Sequence, residues 1–186
     1  MRQTKFDFLN SYKKEFGGSL SEGKRKVARP LSTKAPIHLI IKSNGLPSSP
    51  ENTIKKCTLF SPGNGELKKI IRTQADKYKI KIYDMVLNWS HIHLAVLIPS
   101  RAAYLAFIRT VTAKIIYYLS KLTKQNLAGL FSLRPYTRII SWGRELKAVL
   151  AYILLNQLEA CRAIRRIKTN RRSRAKFAPD PVRQYL

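Results

Sequence analysis

The stretch DMVLNWSHIHLAVLIPS, residues 84–100, decides how this chain folds. It holds two of the three histidines, His91 and His93, inside an apolar run rich in β-branched residues. Successive side chains of a strand point to opposite faces, so both imidazoles project from one face while Ile92 and Leu94 project from the other. The preceding run, IKIYDMVLN (residues 80–88), has the same strand character, and Trp89 and Ser90 join the two as a hairpin by spacing.

Upstream of the hairpin, PIHLIIKS (36–43) reads as a short strand and NGLPSSPENT (44–53) as a turn-rich connection. ELKKIIRTQADKY (66–78) places Leu67, Ile70, Ile71 and Gln74 at helical spacing. Downstream, RAAYLAFIRTVTAKIIYYLSKLTK (101–124) is a long helix and FSLRPYTRIIS (131–141) resumes strand character. GRELKAVLAYILLNQLEACRAIRRI (143–167) is a final helix opened by Gly143. The order β-α-β-β-α-β-α predicts an α+β fold with a ferredoxin-like split βαβ core: an antiparallel sheet with helices on one face, plus a C-terminal helix. The first and third strands are central in such a sheet. Ile92 and Leu94 then face the two crossover helices, and His91 and His93 face the final helix.

The 186 residues carry 36 Lys and Arg against 10 Asp and Glu, a formal charge of +26. That length suits one domain with extensions, read as a flexible basic arm (1–35), a folded domain (36–165) and a basic tail (166–186). A charge of this size repels itself until a polyanion neutralises it, and nucleic acid is the partner it points to. The candidate contacts are Lys24, Arg25, Lys26, Arg29 and Lys34 in the arm. In the C-terminal segment they are Arg162, Arg165, Arg166, Lys168, Arg171, Arg172, Arg174 and Lys176. No uninterrupted apolar run approaches the roughly 18 residues that would cross a bilayer, and residues 1–18 hold no apolar signal core. The expectation is a cytoplasmic protein with no membrane partner. Cys57 and Cys161 form no Cys-x-x-Cys pair, so neither a disulfide framework nor a thiolate zinc site is indicated, while a mixed site with the histidines stays open.

On the final helix, at about 100° per residue, Leu146, Leu150, Ile153, Leu154 and Cys161 form one apolar stripe. Tyr152 and Asn156 lie about 40° apart on the opposite side, close to Glu159, whereas Gln157 falls inside the stripe. Two imidazoles, a carboxamide oxygen and a phenol have a joint chemical use. A divalent ion, Mg²⁺ or Mn²⁺, held by His91, His93 and Asn156 would polarise a phosphate for attack by Tyr152. The plainer alternatives are hydrogen-bonded structural histidines and a tyrosine that only packs. Tyr117 and Tyr118 compete as nucleophiles but read as core, and His38 has no evident partner and no role.

HIHLAV (91–96) followed by YILLN (152–156) resembles the HUH endonucleases, named for histidine-hydrophobic-histidine. Within them it resembles the single-tyrosine transposases that mobilise single-stranded DNA, most of all the REP-associated tyrosine transposases. RPLSTKAPIHLIIKS (29–43) is similar to the lead-in to their first strand, and the resemblance covers residues 27–165. It implies a metal-dependent nick in single-stranded or hairpin DNA, with REP-like palindromes as substrate. It further implies a covalent 5′-phosphotyrosine on Tyr152, a free 3′-OH, and a monomer or homodimer. The family often follows Tyr-x-x-x-Asn with proline. This chain has Gln157, which predicts straighter last turns. A replication-initiation or conjugative nickase and a non-catalytic nucleic-acid-binding protein are the alternatives.

Overall fold

A five-stranded antiparallel sheet and three helices make up the computed structural model, which describes residues 14–21, 23–25, 27–43, 60–131 and 134–164. The strands are β1 (Glu15–Phe16), β2 (Ile37–Lys42), β3 (Lys81–Asn88), β4 (His91–Leu97) and β5 (Tyr136–Ile139). The helices are α1 (Gly65–Lys77), α2 (Arg101–Thr123) and α3 (Arg144–Ala160). The sheet order is β1-β5-β2-β4-β3. Apart from the edge strand β1, its other four strands, β5-β2-β4-β3, have the ferredoxin-like arrangement that the element order predicts, with β2 and β4 central.

Local chemistry sets the element ends. The Asn64 side chain accepts from the Leu67 amide at 3.1 Å to open α1, and Ser100 accepts from the Ala103 amide at 3.1 Å to open α2. Between β3 and β4 the turn forces Trp89 to a φ of +32°, an unfavourable conformation for a bulky residue. Two bonds hold it there: its carbonyl accepts from the Phe60 amide, and its indole N–H donates to the Ala160 carbonyl at 3.1 Å. The second of these ties the end of α3 to the hairpin.

The main core lies between α1, α2 and one sheet face, where Ile37, Leu39, Ile41, Ile92, Leu94 and Val96 meet Leu67, Ile71, Phe107, Val111 and Ile115. By length and composition α2 is apolar enough to cross a membrane, although the sequence showed no uninterrupted apolar run of that length. Here it lays Tyr104, Phe107, Val111, Ile115 and Leu119 on the sheet. Tyr117 belongs to the outer side, 72% exposed, so it is not the core residue that its apolar surroundings predict. Tyr118 is partly buried against the core.

A smaller cluster forms on the other face, where Val149 and Ile153 of α3 pack on Val86, Ala95 and Ile140. The buried face of α3 is Val149, Ile153, Asn156 and Ala160; of the expected stripe, Ile153 is buried and Leu146 and Leu150 pack partly buried against the same cluster. Leu154 is 52% exposed and Cys161 is exposed and free. Gln157, assigned to the stripe, is exposed too. The helix also stops at Ala160, short of residue 167. Arg162 adopts a φ of +59°, and the amides of Cys161 and Ala163 turn back to Gln157 and Leu158.

The basic arm differs most from its expectation. Glu15 and Phe16 pair with Arg138 and Thr137 as an edge strand. Gly17 follows at a φ of +88°, where any Cβ would run into the Pro135 carbonyl oxygen, so only glycine fits. Arg29 is a staple. Its guanidinium donates to the Pro135 carbonyl at 2.7 Å and to Thr137 Oγ1 at 2.8 Å, and lies 4.6 Å over the Phe16 ring. These bonds already occupy the group expected to meet DNA phosphate.

Candidate active site

His91 and His93 stand on the face of β4 that α3 covers, as strand alternation predicts. Their rings are 4.6 Å apart between centroids. The register places Lys42 and Ile40 of β2 opposite them, and His38 opposite Ala95, all on the same face. His38 is therefore part of this site, although the sequence assigned it nothing. Its Nε2 lies 3.2 Å from His93 Nδ1, and it is 6% exposed. A cross-strand neighbour of a neighbour has no signature in a single sequence. The clue was available only as a third histidine in strand phase.

Tyr152 reaches the same spot from α3. Its ring meets His93 edge-on at 5.6 Å and His38 edge-on at 6.0 Å, and the residue is 40% exposed. Tyr136 of β5 also stands edge-on to His38, at 6.5 Å. Burial, with the adjacent Glu15 carboxylate, pushes the Tyr136 phenol up to about 12. Tyr117 and Tyr118 belong to α2 on the opposite face of the sheet, away from the imidazoles.

Asn156 is buried at 4% exposure on the sheet-facing side of α3, not on the opposite side. At about 40° from Tyr152 it keeps its place one turn beyond the phenol, but the packed face of the helix is centred nearer to it than the leucines imply. Its Nδ2 donates to the Tyr152 carbonyl at 2.7 Å. Along the helix it lies between Ile153, packed near Val86 and Ala95, and Ala160, bonded to Trp89.

The three imidazoles are held neutral. Burial, then the Arg138 charge, pushes His38 down to about 4, and burial, then His91 and His38, pushes His93 down to about 3. His91 is lowered by burial and by Lys42. Neutral imidazole is the metal-binding form. Ring nitrogens remain for that purpose: Nδ1 of His91 bonds Ser90 Oγ at 3.1 Å and Nδ1 of His93 bonds His38. His93 Nε2 is buried with no hydrogen-bond partner. An orphaned ring nitrogen next to a second imidazole fits a divalent ion. Among the described residues no group of three or more His, Cys, Asp or Glu side chains is placed to hold a metal ion, and the contact shown for the Asn156 amide is the one to the Tyr152 carbonyl.

These depressed values have a consequence for stability. The folded chain binds fewer protons than the unfolded chain below the ordinary histidine pKa of about 6.5. Stability is then complete above that pH and is lost as pH falls through the window toward 4 and 3. The melting temperature of the metal-free protein should decline over that window. An unchanged value between pH 7 and pH 4 would mean the imidazoles are not buried neutral.

Of the basic residues expected at DNA, Lys24, Arg25, Lys34 and Arg162 are exposed and available. Arg29 is the exception described above. Lys26, Arg165, Arg166, Lys168, Arg171, Arg172, Arg174 and Lys176 lie outside the described residues. Lys42, exposed beside His91, is a cation at the site that charge counting did not single out.

No protein-family profile and no curated protein matches the sequence. Solved structures do. The fold is shared with a REP-associated tyrosine transposase whose structure is bound to a REP hairpin, with a TM-score of 0.50 and 10% identity over 73% of each chain. A candidate transposase from Deinococcus radiodurans R1 aligns with a TM-score of 0.40 and 16% identity, over 72% of this chain and 98% of its own.

Proposed function

We propose that this chain is a transposase-type endonuclease that nicks and rejoins single-stranded or hairpin DNA through a covalent 5′-phosphotyrosine at Tyr152. The observation that carries this reading is the approach of the Tyr152 ring to within 5.6 Å of the His93 ring, beside His91, on the helix-covered face of the sheet. The shared fold with a hairpin-bound tyrosine transposase supports it.

His91 and His93, with Asn156, would hold Mg²⁺ or Mn²⁺. Such an ion withdraws charge from a phosphate oxygen and so favours attack at phosphorus. Tyr152 Oη bonds to the phosphorus and the bond to the 3′-oxygen breaks. The proton lost by the phenol is gained, in the net reaction, by the departing 3′-hydroxyl. Rejoining reverses these steps. Tyr152 lies on a helix, whose rigid backbone carries the nucleophile, and the exposed Lys42 is positioned to meet a neighbouring phosphate.

The test is a single-stranded oligonucleotide incubated with protein and Mn²⁺, then resolved under denaturing conditions. The proposal requires a covalent protein–DNA species that disappears with chelator. Tight binding with no covalent species under any metal condition would leave a non-catalytic nucleic-acid-binding protein.

The basic C-terminal segment should contribute to affinity and not to chemistry. Truncation after residue 161 removes Arg162 and the basic residues beyond it. Each lost phosphate contact lowers the slope of log K against log salt by about one unit. Hairpin binding measured over a salt series should therefore weaken and flatten in the truncated protein, with Mn²⁺ binding unchanged. Equal slopes in both proteins would show that the tail is a solvated charge run.

A further inference from the structure

We propose that His38 is a positioning residue: it accepts a hydrogen bond from Nδ1–H of His93 and thereby keeps the Nε2 lone pair of His93 open toward the site. The inference builds on the reading of His91 and His93 as metal ligands, and adds a residue which that reading does not use.

The geometry is that of an in-plane hydrogen bond. The His38 and His93 rings are 16° from coplanar with centroids 5.4 Å apart, and the two nitrogens are 3.2 Å apart. The centroid separation equals the nitrogen–nitrogen distance plus one ring radius at each end, so the rings lie edge to edge and not face to face. Both residues are buried, His38 at 6% and His93 at 1% exposure. This bond is therefore shielded from competition with water.

One proton serves a bond between two neutral imidazoles, which leaves two arrangements. If His38 donates, His93 must carry its own proton on Nε2. That nitrogen is buried and has no hydrogen-bond partner, so the arrangement strands an N–H donor in the interior with its desolvation uncompensated. If His93 donates from Nδ1, Nε2 presents only a lone pair, on the side of the ring away from His38. Unsatisfied buried N–H groups are rarer than under-satisfied acceptors, which favours the second arrangement. It is also the only one in which His93 can ligate a cation. A metal-binding histidine normally donates its other N–H to an oxygen acceptor that orients it. Here an imidazole on the adjacent strand occupies that position, and Ser90 Oγ holds the matching place against His91 Nδ1. Two strands thus aim one ring: β4 supplies the ligand and β2 its acceptor.

The chain has three histidines, so their ring nitrogens can be assigned individually by long-range proton–nitrogen correlation on ¹⁵N-histidine-labelled, metal-free protein. The expected spectrum shows His93 protonated at Nδ1 and bare at Nε2. His38→Phe removes the acceptor and should transfer the His93 proton to Nε2. It should also weaken Mn²⁺ binding, read by calorimetry or paramagnetic resonance without DNA, by about 10–100-fold. His38→Gln restores an acceptor oxygen and should recover most of that affinity and the Nδ1–H form. Wild-type His93 protonated at Nε2 would overturn the proposal without any variant being needed. So would His38→Phe with unchanged tautomer and metal affinity. A wild-type protein with the Nδ1–H form that takes up no Mn²⁺ would uphold the hydrogen bond and overturn the metal reading of the preceding section.

Discussion

Tyr152→Phe should abolish the covalent DNA adduct and strand cleavage, a loss of about 10⁴-fold or more, while DNA binding stays within about twofold of wild type. The substitution removes one oxygen. The ring keeps its edge contacts with His93 and His38, and α3 keeps its buried face of Val149, Ile153, Asn156 and Ala160. Folding and affinity therefore have little reason to change, and the missing nucleophile accounts for the lost chemistry. Tyr136 is the informative control, because it also stands against His38 on this face. Its phenol is pushed up to about 12 and is engaged with Glu15, so it is poorly suited to supply a phenolate near neutral pH. Tyr136→Phe should retain adduct formation. An adduct that survives Tyr152→Phe and vanishes with Tyr136→Phe would transfer the nucleophile to β5.

His91→Ala should lose metal binding and cleavage together, by about a hundredfold or more in Mn²⁺ affinity. Removing a ligand costs more than removing the residue that orients one. His91 is the cleaner of the two histidines to test. It is half-buried and its Nδ1 bonds only the neighbouring Ser90 hydroxyl. His93→Ala should lose the same properties, but it also strands His38 in the interior and opens a cavity, so its melting temperature should fall as well. Asn156→Ala should weaken metal binding less. Metal titration, adduct yield and thermal melting on the same three variants separate these effects. Wild-type cleavage that persists in excess chelator would remove the metal from the reaction altogether.

Much of this molecule was legible from residue order. Strand alternation set His91 and His93 on one face of β4, because the period of two leaves no other arrangement once Ile92 and Leu94 enter the core. The element order predicted the antiparallel sheet with β2 and β4 at its centre. The spacing of four residues placed Asn156 one helical turn beyond Tyr152. Each of these follows from periodicity, which is local and survives in a single sequence.

Other features depended on which surfaces came to face each other. Six leucines and isoleucines on α3 made an apolar stripe look obvious, yet the helix buries Asn156 and exposes Leu154. The sheet face beneath it is lined by imidazoles as well as by Val86 and Ala95, so a carboxamide can be buried there. Arg29 read as a free cation, and only the pairing of β1 with β5 shows that Phe16, Pro135 and Thr137 enclose it. His38 is 53 residues before His91 in the chain and within hydrogen-bonding distance of His93 in the fold. Periodicity settles which way a side chain points along its own element. What it meets there depends on strand register and helix docking, which arise from the summed packing of the whole chain.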